Sequence, residues 1–237
     1  MNAIVADRVG AYDWAGLGDA LDASGVAVLR CLLSVEECRA IAANYPDDSL
    51  FRSYVVMARH GFGKGEYKYF SYPLPDLVDD LRTALFSLLS PVANRWNQRL
   101  GLSQRYPLGH GDYVAQCRNA GQCRPTPLLV QYGEGDYNCL HQDVYGDLLF
   151  PLQVAVLLSQ PEEDFTGGEF VLTEQRPRMQ SRVEVVPLRR GDAVIFPTRH
   201  RPVMGTKGAY RVNVRHGVSR IRSGLRHTLG VIFHDAT

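Results

Sequence analysis

Residues 132–143 of the 237-residue chain are YGEGDYNCLHQD, and this stretch decides how the rest of the sequence is interpreted. Side chains two positions apart in a β-strand lie on the same face, so His141 and Asp143 can reach the same ion. An imidazole nitrogen and a carboxylate oxygen are both ligands of divalent metals. Because a His-x-Asp pair also occurs in ordinary surface loops, a metal site here requires a third ligand from elsewhere in the chain.

Short strand-like segments separated by Gly and Pro surround this pair and carry further motifs. Gly-Gly-Glu-Phe occupies residues 167–170, Gly-Asp-Ala-Val-Ile-Phe-Pro residues 191–197, and His-Gly-Val-Ser residues 216–219. Seven short strands favour a barrel or a two-sheet sandwich over βαβ units. With a second histidine, the pair would form the two-histidine, one-carboxylate triad that leaves coordination positions open for reactants. The predicted strands are 128–132, 152–158, 169–172, 183–187, 193–196, 210–214 and 227–233.

In this order and spacing, residues 127–235 resemble the Fe(II)/2-oxoglutarate-dependent dioxygenase superfamily. The likeness is to its prolyl-hydroxylase-like and AlkB-like members and to a prokaryotic branch associated with nucleic-acid oxidation. The resemblance implies an α+β fold with a double-stranded β-helix (jelly-roll) core, braced by N-terminal helices. It implies that His141, Asp143 and His216 are both the iron ligands and the catalytic residues. It also implies Fe(II), 2-oxoglutarate as co-substrate and O2, with ascorbate as a further candidate cofactor.

The resemblance implies further residues that bind the co-substrate. Arg226, ten positions after His216, is the expected partner of the distal carboxylate of 2-oxoglutarate, since a guanidinium can donate two parallel hydrogen bonds. Thr228 lies two residues on and faces the same side of the strand. Tyr132 is a candidate hydrogen-bond donor, and Gln153 is another on the basis of its strand position alone.

One departure from the family pattern leaves a second candidate for the distal ligand. His216 lies 20 positions after Phe196, where the family usually has a short link, and His200 lies inside that link with Arg211 eleven positions further on. We favour His216, because it ends an alternating strand and is followed by the Gly-Val-Ser run and Arg226. His200 is the alternative ligand.

The domain organisation is expected to be a single domain over residues 1–237. Residues 1–126 are predicted to be a helical and mixed support and lid region, and residues 127–237 the jelly-roll catalytic core. Pro91 is expected to kink or split the last helix of the support region. The predicted helices there are 13–23, 35–44 and 74–100, with a buried strand at 25–33.

The segment Arg59–Tyr72 is rich in glycine, aromatic and basic residues and is predicted to be a loop or hairpin lid. One interpretation is that its aromatics stack a flipped base while Lys64 and Lys68 contact phosphate. The alternative is an exposed hairpin whose aromatic side chains pack on the core.

The cysteine content and hydropathy indicate a cytoplasmic protein. Five cysteines without framework spacing favour reduced thiols, and Cys117 and Cys123 lack the two further ligands that a zinc site needs. The longest mostly apolar stretch, 148–158, is far short of the ~20 residues of a membrane helix. Residues 1–9 lack a signal pattern, and no membrane association is expected.

The charge distribution bears on the substrate. Residues 176–226 carry 13 basic and two acidic side chains, a net charge of +11, whereas residues 1–175 carry 13 basic and 22 acidic ones. This asymmetry is typical of a basic face that meets a polyanion, although the arginines could equally be buried, paired or solvated. The leading hypothesis is hydroxylation or oxidative demethylation of a base in alkylated DNA or RNA. The alternatives are an amino-acid or protein (prolyl-type) hydroxylase and a non-enzymatic metal-binding barrel.

Overall fold

Five α-helices and fifteen β-strands form the part of the chain that this computed structural model describes, residues 3–237. Met1 and Asn2, which the predicted domain includes, lie outside the described residues. The helices are α1 (Ala3–Gly10), α2 (Trp14–Ser24), α3 (Val35–Ala43), α4 (Asp76–Arg99) and α5 (His110–Asn119). The strands are β1 (Ala27–Leu29), β2 (Phe51–Val56), β3 (Gly63–Lys64), β4 (Glu66–Phe70), β5 (Leu128–Tyr132), β6 (Tyr137–His141), β7 (Leu152–Leu157), β8 (Phe165–Gly167), β9 (Phe170–Gln175), β10 (Arg182–Val186), β11 (Ala193–Pro197), β12 (His200–Gly205), β13 (Gly208–Val218), β14 (Ile221–Gly224) and β15 (Arg226–Val231).

The strands build two main antiparallel sheets. The larger has seven strands in the order β1-β11-β7-β15-β5-β4-β2, and the smaller has the order β10-β9-β13-β6-β3 with β12 paired to β13. A separate pair joins β14 to β8. Side chains from the two sheets pack together, with Ala155, Val194 and Phe196 of the large sheet against Phe170 and Leu172 of the small one. This layered antiparallel arrangement confirms the predicted α+β class.

A layer of helices covers the outer face of the large sheet. Leu81, Leu85 and Leu89 of α4 belong to one buried cluster with Leu129 of β5 and Leu229 of β15. Strand β7 is therefore buried along its whole length, since helices cover one face and the small sheet covers the other. Ser34 caps α3 by accepting from the Glu37 backbone amide, and the Glu37 carboxylate accepts from the Ser34 amide in return.

Helix α4 runs without interruption through Pro91, so of the two predicted effects of this proline, a kink or a split, the split is wrong. The buried positions that flank Pro91 pack against the sheet, and this packing outweighs the loss of one backbone hydrogen bond. Among residues 3–237, no helix is both long and apolar enough to cross a bilayer.

Residues 1–126 contribute strands to the large sheet as well as helices. Strand β4 lies between β5 and β2, and Lys68 within it is buried. The Lys68 ammonium lies 2.6 Å from an Asp48 carboxylate oxygen and donates to the Tyr45 carbonyl at 2.8 Å. The interpretation in which Lys68 contacts phosphate is therefore wrong for this conformation, because its charge is already used inside the fold. Of the predicted lid, residues 66–70 form β4 of the large sheet, and residues 59–65 and 71–72 lie outside it.

The long link before His216 is explained by a hairpin that the sequence analysis missed. Strand β12 pairs with the first half of β13, from His200 opposite Asn213 to Gly205 opposite Gly208. The second half of β13 then enters the small sheet between β9 and β6. The extra residues extend the sheet outward and leave His216 in the position that the alternation predicts.

Candidate active site

Three side chains predicted as metal ligands meet at one point between the sheets. His141 is the last residue of β6, Asp143 follows two residues later, and His216 on β13 is paired directly with His141. The His216 Nε2 lies 3.2 Å from Asp143 Oδ2, and the His141 Nε2 lies 3.5 Å from Asp143 Oδ1. One ligand atom from each residue lies within 4.8 Å of the other two, which suits a single ion.

Hydrogen bonds set the orientation of these side chains. The His141 Nδ1 lies 2.8 Å from the Cys139 carbonyl, and because a carbonyl only accepts, Nδ1 donates this hydrogen bond and Nε2 is the nitrogen that faces Asp143. The Tyr145 hydroxyl donates to Asp143 Oδ1 at 2.8 Å. The sequence analysis missed Tyr145, although its position two residues after Asp143 was a usable signal.

The protonation states also suit a metal site. Burial alone would raise the pKa of Asp143, but the charge of His216 and hydrogen bonds from His141 and His216 bring it well below its usual value. Burial lowers the pKa of His216, and the neighbouring His141 lowers it further. For His141, burial lowers the pKa, but the hydrogen bond and charge of Asp143 outweigh it, so its pKa is raised. The group therefore offers an ionised carboxylate beside two imidazoles.

The donor set fits a divalent cation of intermediate softness. Two imidazole Nε2 atoms point at one carboxylate, and imidazole with carboxylate is the ligand set of non-haem Fe(II) oxygenases. His141 keeps a third of its side-chain surface exposed, which leaves one side of the site open to the cavity.

A cavity of about 230 Å³ lies beside the three residues, and Arg226 lies in its wall. Arg226 opens β15 and is 2% exposed, and its Nη1 donates to the Thr228 hydroxyl at 2.5 Å. Its guanidinium carbon lies 5.7 Å from the ring centres of Tyr132 and Phe165. Burial lowers the pKa of Arg226 to about 10. Within residues 3–237, no carboxylate lies within 4.0 Å of this guanidinium, so the cavity holds a buried cation without an anionic partner.

The Gly-Gly-Glu turn brings the backbone close to this cation. Gly168 has φ +64°, and a Cβ there would lie 3.0 Å from Cδ of Arg226 and 2.3 Å from Cδ1 of Ile221. Only glycine combines this backbone conformation with this close approach. The motif therefore shapes the cavity wall around Arg226.

Tyr132 lies opposite Arg226 across the β5–β15 pair and is buried. Burial raises the pKa of Tyr132 to about 12, so its phenol keeps its proton. The Asn138 amide donates to the Tyr132 hydroxyl at 3.1 Å, and Asn138 also lines the cavity. Asn138 is a second residue that the sequence analysis missed. Tyr132, Thr228 and Arg226 thus form one polar end of the cavity.

Gln153 lies towards the other end of the cavity wall. Thr228 is paired with Leu157, which lies four residues after Gln153 on β7. At the rise of a β-strand, four residues place the Cα atoms of Gln153 and Leu157 about 13 Å apart. Phe196, the cross-strand partner of Gln153, has its ring centre 4.7 Å from that of His216. The Gln153 amide nitrogen is buried and has no hydrogen-bond partner among the described residues. Its predicted contact with the co-substrate stays a prediction.

His200 lies outside the group of three. It is on β12 opposite Asn213 and does not line the cavity. Burial lowers its pKa, and the charges of Arg199 and Arg211 lower it further. The structure thus brings together His141, Asp143 and His216 but not the alternative ligand. Cys117 is buried on α5 and Cys123 is exposed, and neither joins a metal-ligating group within residues 3–237.

The sequence of this chain is similar to a family model and to two bacterial proteins. Residues 65–236 match the model of the Oxygenase-NA family, described as "Oxygenase, catalysing oxidative methylation of damaged DNA". Two uncharacterised proteins from Mycobacterium tuberculosis, strains CDC 1551 / Oshkosh and H37Rv, are each 49% identical over 167 residues. That alignment covers 70% of this chain and 72% of each relative.

Solved structures resemble the whole described fold. A prolyl hydroxylase from Trichoplax adhaerens, in complex with a hypoxia inducible factor peptide fragment, superposes with a TM-score of 0.58 at 15% identity, covering 99% of this chain and 94% of that one. A prolyl-4-hydroxylase from Pseudomonas putida gives 0.54 at 15% identity, covering 94% and 100%. A 2OG-Fe(II) oxygenase family oxidoreductase from Burkholderia pseudomallei gives 0.52 at 16% identity, covering 96% and 94%. These likenesses confirm the predicted double-stranded β-helix fold.

Proposed function

The chain belongs to the Oxygenase-NA family and is an Fe(II)/2-oxoglutarate-dependent oxygenase, and we propose that it oxidises an alkyl group on a damaged nucleic-acid base. The observation that carries this proposal is the convergence of His141, Asp143 and His216 beside a cavity that contains the unpaired Arg226. A metal-binding scaffold without catalysis has no use for a buried guanidinium that faces a cavity.

We assign His141, Asp143 and His216 as the ligands of Fe(II). The Nε2 atoms of His141 and His216 and the ionised Asp143 supply two nitrogens and one oxygen from one side. Bound Fe(II) with 2-oxoglutarate supplies the activation of O2 that oxidises a C–H bond. Tyr145 holds Asp143 through Oδ1, which leaves Oδ2 directed towards His216.

We assign Arg226, Thr228 and Tyr132 to the co-substrate. A dicarboxylate supplies the anion that the Arg226 guanidinium lacks, and a guanidinium can donate two parallel hydrogen bonds to one carboxylate. The Thr228 hydroxyl fixes one edge of the guanidinium, and Asn138 fixes the Tyr132 hydroxyl. The apolar part of the wall, including Val130, excludes water from the reacting atoms.

The overall reaction on an N-methyl base would balance without a further reductant. One oxygen atom of O2 goes into succinate as 2-oxoglutarate loses CO2, and the other enters a C–H bond of the methyl group. The resulting N-hydroxymethyl group breaks its C–N bond, which releases formaldehyde and leaves the N–H base. The family description speaks of oxidative methylation. Because O2 and 2-oxoglutarate oxidise carbon, we propose that the methyl group is removed and not added.

The description of the matching family supports a nucleic-acid substrate, as does the +11 charge of residues 176–226. Two prolyl hydroxylases among the solved neighbours support the alternative, hydroxylation of a peptide or amino acid, but at 15% identity they establish the fold alone. A succinate-release screen tests both, with alkylated oligonucleotides, methylated nucleosides, peptides and free amino acids offered in parallel. Succinate and formaldehyde released from the methylated substrates would support the proposal. Oxidation of a peptide, with none on alkylated nucleic acid, would contradict it.

A further inference from the structure

A line of basic side chains follows the outward face of β13. Arg211, Asn213 and Arg215 are exposed, and they alternate with the buried Val212, Val214 and His216. The alternation places the two arginines on the outer surface of the small sheet while His216 points inward. The Cα atoms of Arg211 and Arg215 are about 13 Å apart along the strand.

Strand β12 adds a third arginine to this line. His200 is paired with Asn213, and Arg199 immediately precedes it and is exposed. The charges of Arg199 and Arg211 both lower the pKa of His200, after burial as the larger cause, so the two guanidinium groups lie near the same imidazole. We call Arg199, Arg211 and Arg215 the arginine strip.

The strip is not neutralised within the part of the chain that the structure describes. Among residues 3–237, no ion pair within 4.0 Å involves Arg199, Arg211 or Arg215. Other arginines of the same basic segment are paired: Arg176 and Arg201 bind Glu174, and Arg190 binds Asp164. The basic segment therefore contains arginines used inside the fold and exposed arginines without an ion pair, among them the three of the strip.

The strip begins at the mouth of the cavity. Gln142, which lines the cavity, donates its amide to the Arg199 carbonyl at 3.0 Å and to the Val214 carbonyl at 2.8 Å. Arg215 is the immediate neighbour of His216. A polymer bound along the strip would thus follow, on its outer face, the same strand that carries His216 on its inner face.

We propose that the arginine strip binds the sugar–phosphate backbone of a single-stranded nucleic acid that flanks the target base. This inference rests on the proposed function and adds the surface and the strand state. Free guanidinium groups on one face suit phosphates, which accept two parallel hydrogen bonds. A base enters a buried cavity only after it leaves its stack, and this costs least in an unpaired strand.

Binding of a labelled single-stranded oligonucleotide, measured by fluorescence anisotropy over a range of salt concentrations, tests the strip. The protein is loaded with Mn(II) and 2-oxoglutarate. The test variant is Arg211→Ala with Arg215→Ala, and the matched control is Arg39→Ala with Arg105→Ala, two exposed arginines outside the strip. Urea unfolding of each variant checks that the fold is retained.

The strip variant is expected to bind oligonucleotides of every sequence more weakly. The slope of the log of the binding constant against log salt should be shallower by about 1.4, because two phosphate contacts are lost at about 0.7 each. The control should keep the slope of the unmodified protein. An unchanged slope in the strip variant, an equal loss in the control, or no oligonucleotide binding by the unmodified protein would each overturn the inference.

The oxidation assay separates this inference from the proposed function. Oxidation of methylated oligonucleotides by the unmodified protein, together with an unchanged salt slope in the strip variant, would overturn the strip and leave the function standing. Strip-dependent binding of an acidic peptide in place of oligonucleotides, with no oxidation of nucleic acid, would overturn both.

Discussion

Two fully buried arginines with opposite surroundings give a quantitative test of the co-substrate site. Arg226 has no anionic partner among residues 3–237, whereas Arg82 lies 2.7 Å from an oxygen of the equally buried Asp235. Burial lowers the pKa of Arg226 from 12.5 to about 10, which corresponds to a cost of about 3 kcal/mol for the charged form. Contacts with the Tyr132 and Phe165 rings offset about 0.5–1 kcal/mol each.

We therefore expect Arg226→Met to raise the free energy of unfolding of the protein without 2-oxoglutarate by about 1–2 kcal/mol. The same variant should lose the stabilisation by the co-substrate, which for the unmodified protein reaches about 2.7 kcal/mol when its concentration is 100 times Kd. Arg82→Met should do the opposite and lower the free energy of unfolding by about 3–5 kcal/mol, because it leaves the Asp235 carboxylate buried without a partner.

Urea unfolding with and without 2-oxoglutarate measures all of these quantities, provided the m-value is unchanged. If Arg226→Met destabilises the ligand-free protein as Arg82→Met does, the guanidinium is compensated inside the fold. If Arg226→Met is still stabilised by 2-oxoglutarate, the co-substrate binds elsewhere. Either result would refute the assignment of Arg226.

The other predictions concern the metal site and the pH dependence of stability. Asp143→Ala should abolish succinate release while His200→Ala keeps it, and an inactive His200→Ala would contradict the choice of ligands. Tyr145→Phe removes the hydrogen bond to Asp143 and should weaken Mn(II) affinity about 10–100-fold, so an unchanged affinity in a titration would contradict its role. Burial lowers the pKa of His110 and His234 in the folded protein to about 3, whereas the unfolded value is near 6.5. Their contribution to stability is therefore intact above pH 6.5 and is lost as the pH falls towards 3. The free energy of unfolding by urea should be lower at pH 5.5 than at pH 7.5 by about 1 kcal/mol per histidine, and equal values would contradict this.

The site could be predicted where its signal is local in the sequence. His141 and Asp143 share a strand face by spacing alone, and the Gly-Gly-Glu turn marks a backbone with positive φ. His216 was identified over His200 from the strand alternation, and the hairpin β12–β13 explains why the spacing departs from the family pattern.

What could not be predicted depends on contacts between distant segments. Asn138 reaches the site through its bond to Tyr132, and the +11 segment could not show which arginines meet an internal carboxylate. Glu174 on β9 binds Arg201 on β12, 27 residues away, because both strands pair with β13. A phosphate contact by Lys68 was one of two interpretations of its segment, and the partner that excludes it, Asp48, lies 20 residues away in a 3-10 turn that has no periodicity to reveal it.

The central claim is that two imidazoles and one carboxylate hold a single metal ion. Pulsed electron paramagnetic resonance of the Mn(II)-loaded protein counts the imidazole nitrogens bound to the metal. We expect two in the unmodified protein and in His200→Ala, and one in His216→Ala. Two imidazoles retained in His216→Ala, or one lost in His200→Ala, would contradict the claim.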